Sequence, residues 1–156
     1  MQNFLKYLEE AEKTTLTIDH LVYVTFPLIK DKRLLLKALS EMKDAILSCV
    51  NSILCYEHFY KRISMRKNSL ENFKIFVERC ALPYEITQEE IILISNLFNL
   101  VQKHKESGFE FMRHEKVVIL SGNLETEVIT IEKIKFFLAM LKGILKKIKT
   151  RFFGKI

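Results

Sequence analysis

Glycine occurs only 4 times in this chain of 156 residues, proline twice, and tryptophan not at all. So little glycine argues against a phosphate cradle built on a Gly-rich loop, and neither GxGxxG nor GxxxxGK[ST] occurs. Scarcity of both turn formers also argues against disorder and against a fold assembled from many short loops. The three cysteines, Cys49, Cys55 and Cys80, lack the paired spacing of a disulfide framework, and no CxxC or HExxH is present. The opening MQNFLKYLEEAEK carries acids where a secretory signal needs an apolar run, which predicts a cytoplasmic protein with reduced thiols. No stretch reaches the roughly 18 uncharged apolar residues that a membrane span requires.

Apolar residues make up 49% of the chain, with 12 Phe and 5 Tyr. A chain of this length buries about 70% of the surface its unfolded form exposes, so one domain over residues 1–156 is expected, with no cofactor needed for stability. The net charge of +6 is unevenly spread. Residues 31–67 carry eight Lys or Arg against four acids, and residues 130–156 carry eight against one. Such asymmetry suits an anionic partner, nucleic acid or membrane surface, although solvated lysines alone give the same pattern.

Helical periodicity runs through most of the chain. Phe4, Leu8, Ala11, Ile18, Leu21 and Val22 predict a first helix from Asn3 to about Phe26, with Pro27 marking its exit. Asp31 is the expected N-cap of a second helix reaching Arg62, about 45 Å long, with Leu35, Leu39, Met42, Ile46, Cys49, Ile53 and Tyr60 on one stripe. A third helix is expected from Ser69, as N-cap, to Cys80. Thr87 with Glu90 forms a capping box for a fourth, whose inner stripe is Ile91, Ile94, Leu97, Phe98 and Val101. A fifth runs from near Thr130 to about Phe152 on Ile131, Ile134, Leu138, Leu141, Leu145 and Ile148. The fold class is therefore all-α: a five-helix bundle built on a long antiparallel helix pair.

Between the last two helices, HKESGFEFMRHEKVVILSGN reads differently. Lys116 to Leu120 and Leu124 to Ile129 favour strands separated by Ser121-Gly122-Asn123, which predicts a small β-hairpin leaning on the bundle. Arg113 and His114, with His104 nearby, are the residue types that hold a phosphate and move a proton near neutral pH. Glu106, Glu110 and Glu115 in the same loop would repel an anion, so a turn pinned by Phe109 and Phe111 is the favoured reading.

Other candidates are surface features. Cys55 and His58 share a helical face, but two ligands do not close a metal site and no metal is assigned. YKRISMRKN sets Tyr60 among Lys61, Arg62, Arg66 and Lys67, an aromatic among cations that can grip a nucleic-acid backbone or simply cap a helix. In the last helix Lys135, Lys142, Lys146 and Lys149 flank the core stripe, while Phe136, Met140 and Gly143 form a weaker second apolar face suited to a partner. The tail KKIKTRFFGKI suits either docking on the bundle or contact with a membrane surface.

The long helical pair followed by shorter helices, with one distinctive loop before the last, resembles the HEPN-like bundles of prokaryotic RNases, toxins and nucleotidyltransferase partners. VTFPLIKDKRLLLKAL and HKESGFEFMRHEKVVIL resemble runs in small archaeal proteins. The resemblance implies a helical bundle and a homodimer. HEPN nucleases carry Arg and His four to six residues apart, a motif this chain does not match, because Arg113 and His114 are adjacent and His104 precedes its Arg. The leading expectation is a non-enzymatic protein that binds RNA, or an RNA-containing assembly such as the ribosome. Its contacts would be Lys61, Arg62, Arg66, Lys67, Arg113, His114, Lys142, Lys146 and Lys149. A divergent metal-independent ribonuclease or toxin–antitoxin component is the alternative, using Arg113 with His114 or His104. A protein-interaction or peripheral membrane module acting through Phe136, Met140 and the tail is the third.

Overall fold

In the computed structural model, which describes residues 3–107, 109–120 and 125–154, helices dominate and one small antiparallel sheet precedes the last of them. Helix α1 (Asn3–His20) passes through a wide π turn (Leu21–Thr25) into the short α2 (Phe26–Ile29). Pro27 therefore does not end the first helix. The Phe26 amide bonds the Leu21 carbonyl, five residues back. That wider turn lets the helix accommodate Pro27, whose ring clashes with the preceding turn of a regular α-helix. The exit comes at Lys30, in the left-handed region at φ 56°.

Helix α3 (Lys32–Phe59) starts as expected, with the Asp31 side chain accepting from the Arg33 amide. It stops short of Arg62. Lys61 adopts φ 60°, the Lys61 amide bonds the His58 carbonyl and the Arg62 amide bonds that of Glu57. These paired bonds close a Schellman motif, in which Lys takes the place usually held by Gly. Helix α4 (Ser69–Ile75) and a π segment (Phe76–Cys80) make the third rod. Its cap is Asn68 rather than Ser69, because the Asn68 side-chain oxygen accepts from both the Leu70 and Glu71 amides. Helix α5 (Gln88–Glu106) carries the full Thr87–Glu90 capping box, and α6 (Ile131–Phe153) is capped by Thr130.

The predicted hairpin is instead a three-stranded sheet in the order β1 (Phe109–Arg113), β2 (Lys116–Leu120), β3 (Thr126–Ile129). The added strand is FEFMR, and its turn to β2 is His114–Glu115, both at positive φ. Two successive left-handed residues match the right-handed twist of a two-residue hairpin. The expected Ser121-Gly122-Asn123 turn lies outside the described residues, as does the side chain of Phe109.

Helices α1, α3, α5 and α6 and the inner face of the sheet enclose one core. Leu35, Met42, Ile46, Ile53, Ile94, Leu97, Ile119, Ile134 and Ile148 are all fully or almost fully buried. Removing a side chain such as that of Ile46 would cost about 2–5 kcal/mol. The start of α1 lies beside the end of α3: buried Ser52 donates to the Phe4 carbonyl at 2.7 Å, and the Phe4 and Phe59 rings are 6.1 Å apart. Of the expected α3 stripe only Tyr60 faces out, at 50% exposure. No helix among the described residues is long and apolar enough to cross a membrane.

Candidate nucleic-acid interface

The sheet sits at one end of the bundle and the richest basic surface at the other. At the sheet end, opposed residues share a face, so Glu110 lies with buried Ile119 on the inner side, and Arg113, opposite Lys116, lies on the outer side. His104 reaches the inner side from α5, with Nδ1 2.8 Å from the Glu110 carboxylate, and Lys103 bonds Glu127 at 2.6 Å. His104 and Arg113 are thus separated by the sheet. His114 is a turn residue beside Glu115, which pairs with Lys30 at 3.0 Å. Phe111 does not pin this segment to the core, because it points outward at 37% exposure; Val117, Ile119 and Ile129 hold the sheet instead.

At the other end, the loop after α3 is held by Asn72, which bonds both the amide and the carbonyl of Arg66 at 2.7 and 2.8 Å. That double bond and the inward packing of Ile63 and Met65 leave Lys61, Arg62, Arg66 and Lys67 exposed. With Lys74 and Arg79 from the third rod, Lys61, Arg62 and Arg66 line a groove of about 610 Å³, accompanied by Glu71 and Glu78.

A second groove, about 1170 Å³, lies where α6 meets α1 and the segment around Tyr84. Phe136, Ala139, Lys142, Lys146, Lys149 and Phe153 form the exposed ridge of α6, recurring every three or four residues. Lys142 pairs with Asp19 and Lys149 with Glu12 at 2.9 Å, while Lys146, between them, faces the exposed Leu16 region and has no acidic partner among the described residues. Met140, expected on a second apolar face, is buried at 8% exposure, whereas Phe136 is exposed at 59% and Gly143 has open space beside it.

Glu57 joins the two grooves. Its buried carboxylate bonds the Nε of Arg62 and lies 3.9 Å from the guanidinium of Arg151. Tyr84 is buried against the same site; burial first, then the Glu57 charge, pushes its phenol pKa well above the usual range. The Glu57 bond likewise raises the pKa of Arg62, which stays cationic. Glu57 and Lys61 stand four residues apart, a spacing that suits an ion pair on a helix, but the partner of Glu57 is Arg62. The link from Glu57 to Arg151, 94 positions away, had no local signal.

The remaining chemistry-bearing groups do not assemble. Burial pushes the Cys49 and Cys80 thiols up to about 12 and raises that of half-buried Cys55. His58 approaches the Ile63 carbonyl rather than joining Cys55 in a ligand set, and no cluster of three metal-ligating side chains exists among the described residues. Comparison with protein-family models, curated proteins and solved structures finds no match to this chain.

Proposed function

We propose that this protein is a non-enzymatic RNA-binding bundle and that the end built around Glu57 is its binding surface. The observation that carries the reading is the shared carboxylate: Arg62 from one basic segment and Arg151 from the other converge on Glu57. Cations remote in sequence thereby border one continuous region. A phosphate backbone needs several cations at roughly regular spacing, and Lys61, Arg66, Lys67, Lys74, Arg79 and Lys146 have no acidic partner among the described residues. Arg113 and His114, at the far end of an α3 rod of about 42 Å, lie outside this surface. In this reading α1 and α3 serve as the long antiparallel pair of a HEPN-like bundle, and the protein acts as a cytoplasmic homodimer on RNA or a ribonucleoprotein.

The test is titration of RNA at several salt concentrations with wild-type protein, Arg66→Glu and Lys146→Glu. Neutralising four or five phosphates of a single strand gives a log–log salt slope of about −3. Each charge reversal should weaken binding by about tenfold and flatten that slope by about one unit or slightly less. Absent binding, or binding indifferent to salt, would remove the proposal.

A further inference from the structure

The basic end also holds the main concentration of contacting aromatic rings. Phe4 packs edge-on against Tyr56 and Phe152 at 5.1 and 5.4 Å, and Phe152 stacks on Tyr56 at 4.2 Å. Tyr84 closes the cluster from the far side, 6.3 Å from Phe152. Its inner members are fixed: Phe4 and Tyr84 are buried at 8% and 1% exposure. Three others emerge from it. Phe59 and Tyr60 are each half exposed and 5.1 Å apart, and Phe153, 60% exposed, sits 6.1 Å from Phe152.

These three rings stand between two sets of cations. Lys61 and Arg62 follow Tyr60 directly and lead into the first groove, while Phe153 lines the second groove with Lys146 and Arg151. Arg62 also lies over the Tyr60 ring, 5.0 Å from its centroid, which ties the aromatic ridge to the cationic lining. Cations alone would suit any polyanion. Exposed rings anchored on a rigid aromatic base suit a polyanion whose repeating units carry flat, unstacked faces. A duplex hides those faces inside its own stack, and a lipid headgroup or polyphosphate has none.

We infer that the ridge of Phe59, Tyr60 and Phe153 stacks unpaired bases, so that the ligand of the basic end is single-stranded nucleic acid rather than duplex, polyphosphate or an anionic membrane. The inference rests on the binding reading above and names the ligand class for that surface. The backbone follows the grooves, and the bases turn inward onto the ridge. Little sequence preference is expected, because every base presents a π face and stacking does not read base edges.

The experiment compares three probes on the full chain by fluorescence anisotropy at one salt concentration: a single-stranded RNA of about 12 nucleotides, the blunt duplex of the same sequence, and inorganic polyphosphate of matched charge. Wild-type protein should bind the single strand at least about tenfold more tightly than the other two. Phe59→Leu, Tyr60→Leu and Phe153→Leu keep an apolar side chain at half-exposed positions and remove the π face. Each should weaken single-strand binding by about five- to a hundredfold and leave polyphosphate binding unchanged. Equal binding of all three probes, with the leucine proteins unaltered, overturns base stacking but leaves the basic surface intact. Failure of every probe to bind overturns the RNA reading itself. Stronger binding to the duplex, or leucine substitutions that convert a dimer to a monomer without changing RNA affinity, assigns the ridge to shape recognition or self-association and overturns the inference.

Discussion

Arg62 donates through Nε to the carboxylate of Glu57, a charged side chain only 4% exposed at the end of α3. The arrangement is asymmetric: the acid is buried, while both cations around it remain about half in solvent. Loss of the acid leaves Arg62 and Arg151 free to rehydrate, which limits the cost, but it removes a charge-assisted bond and the link between two basic grooves. Glu57→Gln should destabilise the fold by about 2 kcal/mol in urea titrations. It should also weaken RNA binding although net positive charge rises. Tighter binding in the variant would show that charge total, not the fixed spacing of the grooves, governs affinity.

Acid should act through caps as well as through the core. The Arg33 side chain and amide bond Asp31 and hold its carboxyl at about 2, against an ordinary 3.8. Glu90 is also lowered; burial opposes the shift, but the bond from Lys147 and those from Thr87 outweigh it. A carboxyl depressed in the folded state contributes stability above its unfolded pKa and loses it as pH falls through the folded one. The Asp31 contribution should therefore be complete above about pH 4 and vanish near pH 2. Thermal melts of wild-type and Asp31→Asn proteins should differ at pH 6 and converge at pH 2. A constant gap across that range would mean the ion pair adds nothing beyond the cap, which Asn can also supply.

The cysteines give a prediction about reactivity. With Cys49 and Cys80 buried and their thiols near 12, almost no thiolate exists at neutral pH. Ellman's reagent at pH 8 should label Cys55 slowly in the native protein and all three thiols after unfolding. Rapid native labelling of two or more thiols would reveal local opening of α3 or of the Phe76–Cys80 segment.

Legibility from sequence followed the physics of each element. The caps at Asp31 and Thr87 were readable because capping is local, a side chain answering amides two or three residues on. The inner stripes of α3, α5 and α6 were readable because burial repeats with the helix. Pro27 misled, since a π turn upstream let the helix continue. Strand FEFMR was missed for a related reason: its turn uses His-Glu where Asn-Gly is the usual signal. In a chain with four glycines, Lys30, Lys61, Glu85, His114 and Glu115 all take left-handed backbone. The basic residues of the candidate site were visible as composition. Their convergence on Glu57, and the ring cluster behind them, depend on packing between remote segments and left no local trace.

The His114–Glu115 turn offers the last test, because its strain is local. A left-handed conformation costs a residue with a Cβ roughly 1–2 kcal/mol, less for Asn and almost nothing for Gly. Glu115 recovers part of that through Lys30, but both partners are more than half exposed, and such a pair contributes at most about 1 kcal/mol. Replacing the pair by His114→Asn with Glu115→Gly should therefore stabilise the sheet by about 1 kcal/mol, raising the melting temperature by a few degrees. Hydrogen exchange at the β1 and β2 amides should slow by about fivefold, with little change in α3. If the doubly substituted protein is less stable, His114 and Glu115 hold the turn through contacts stronger than the exposed ion pair. That outcome would direct attention back to the sheet end of the molecule, where Arg113 and His114 project from the bundle.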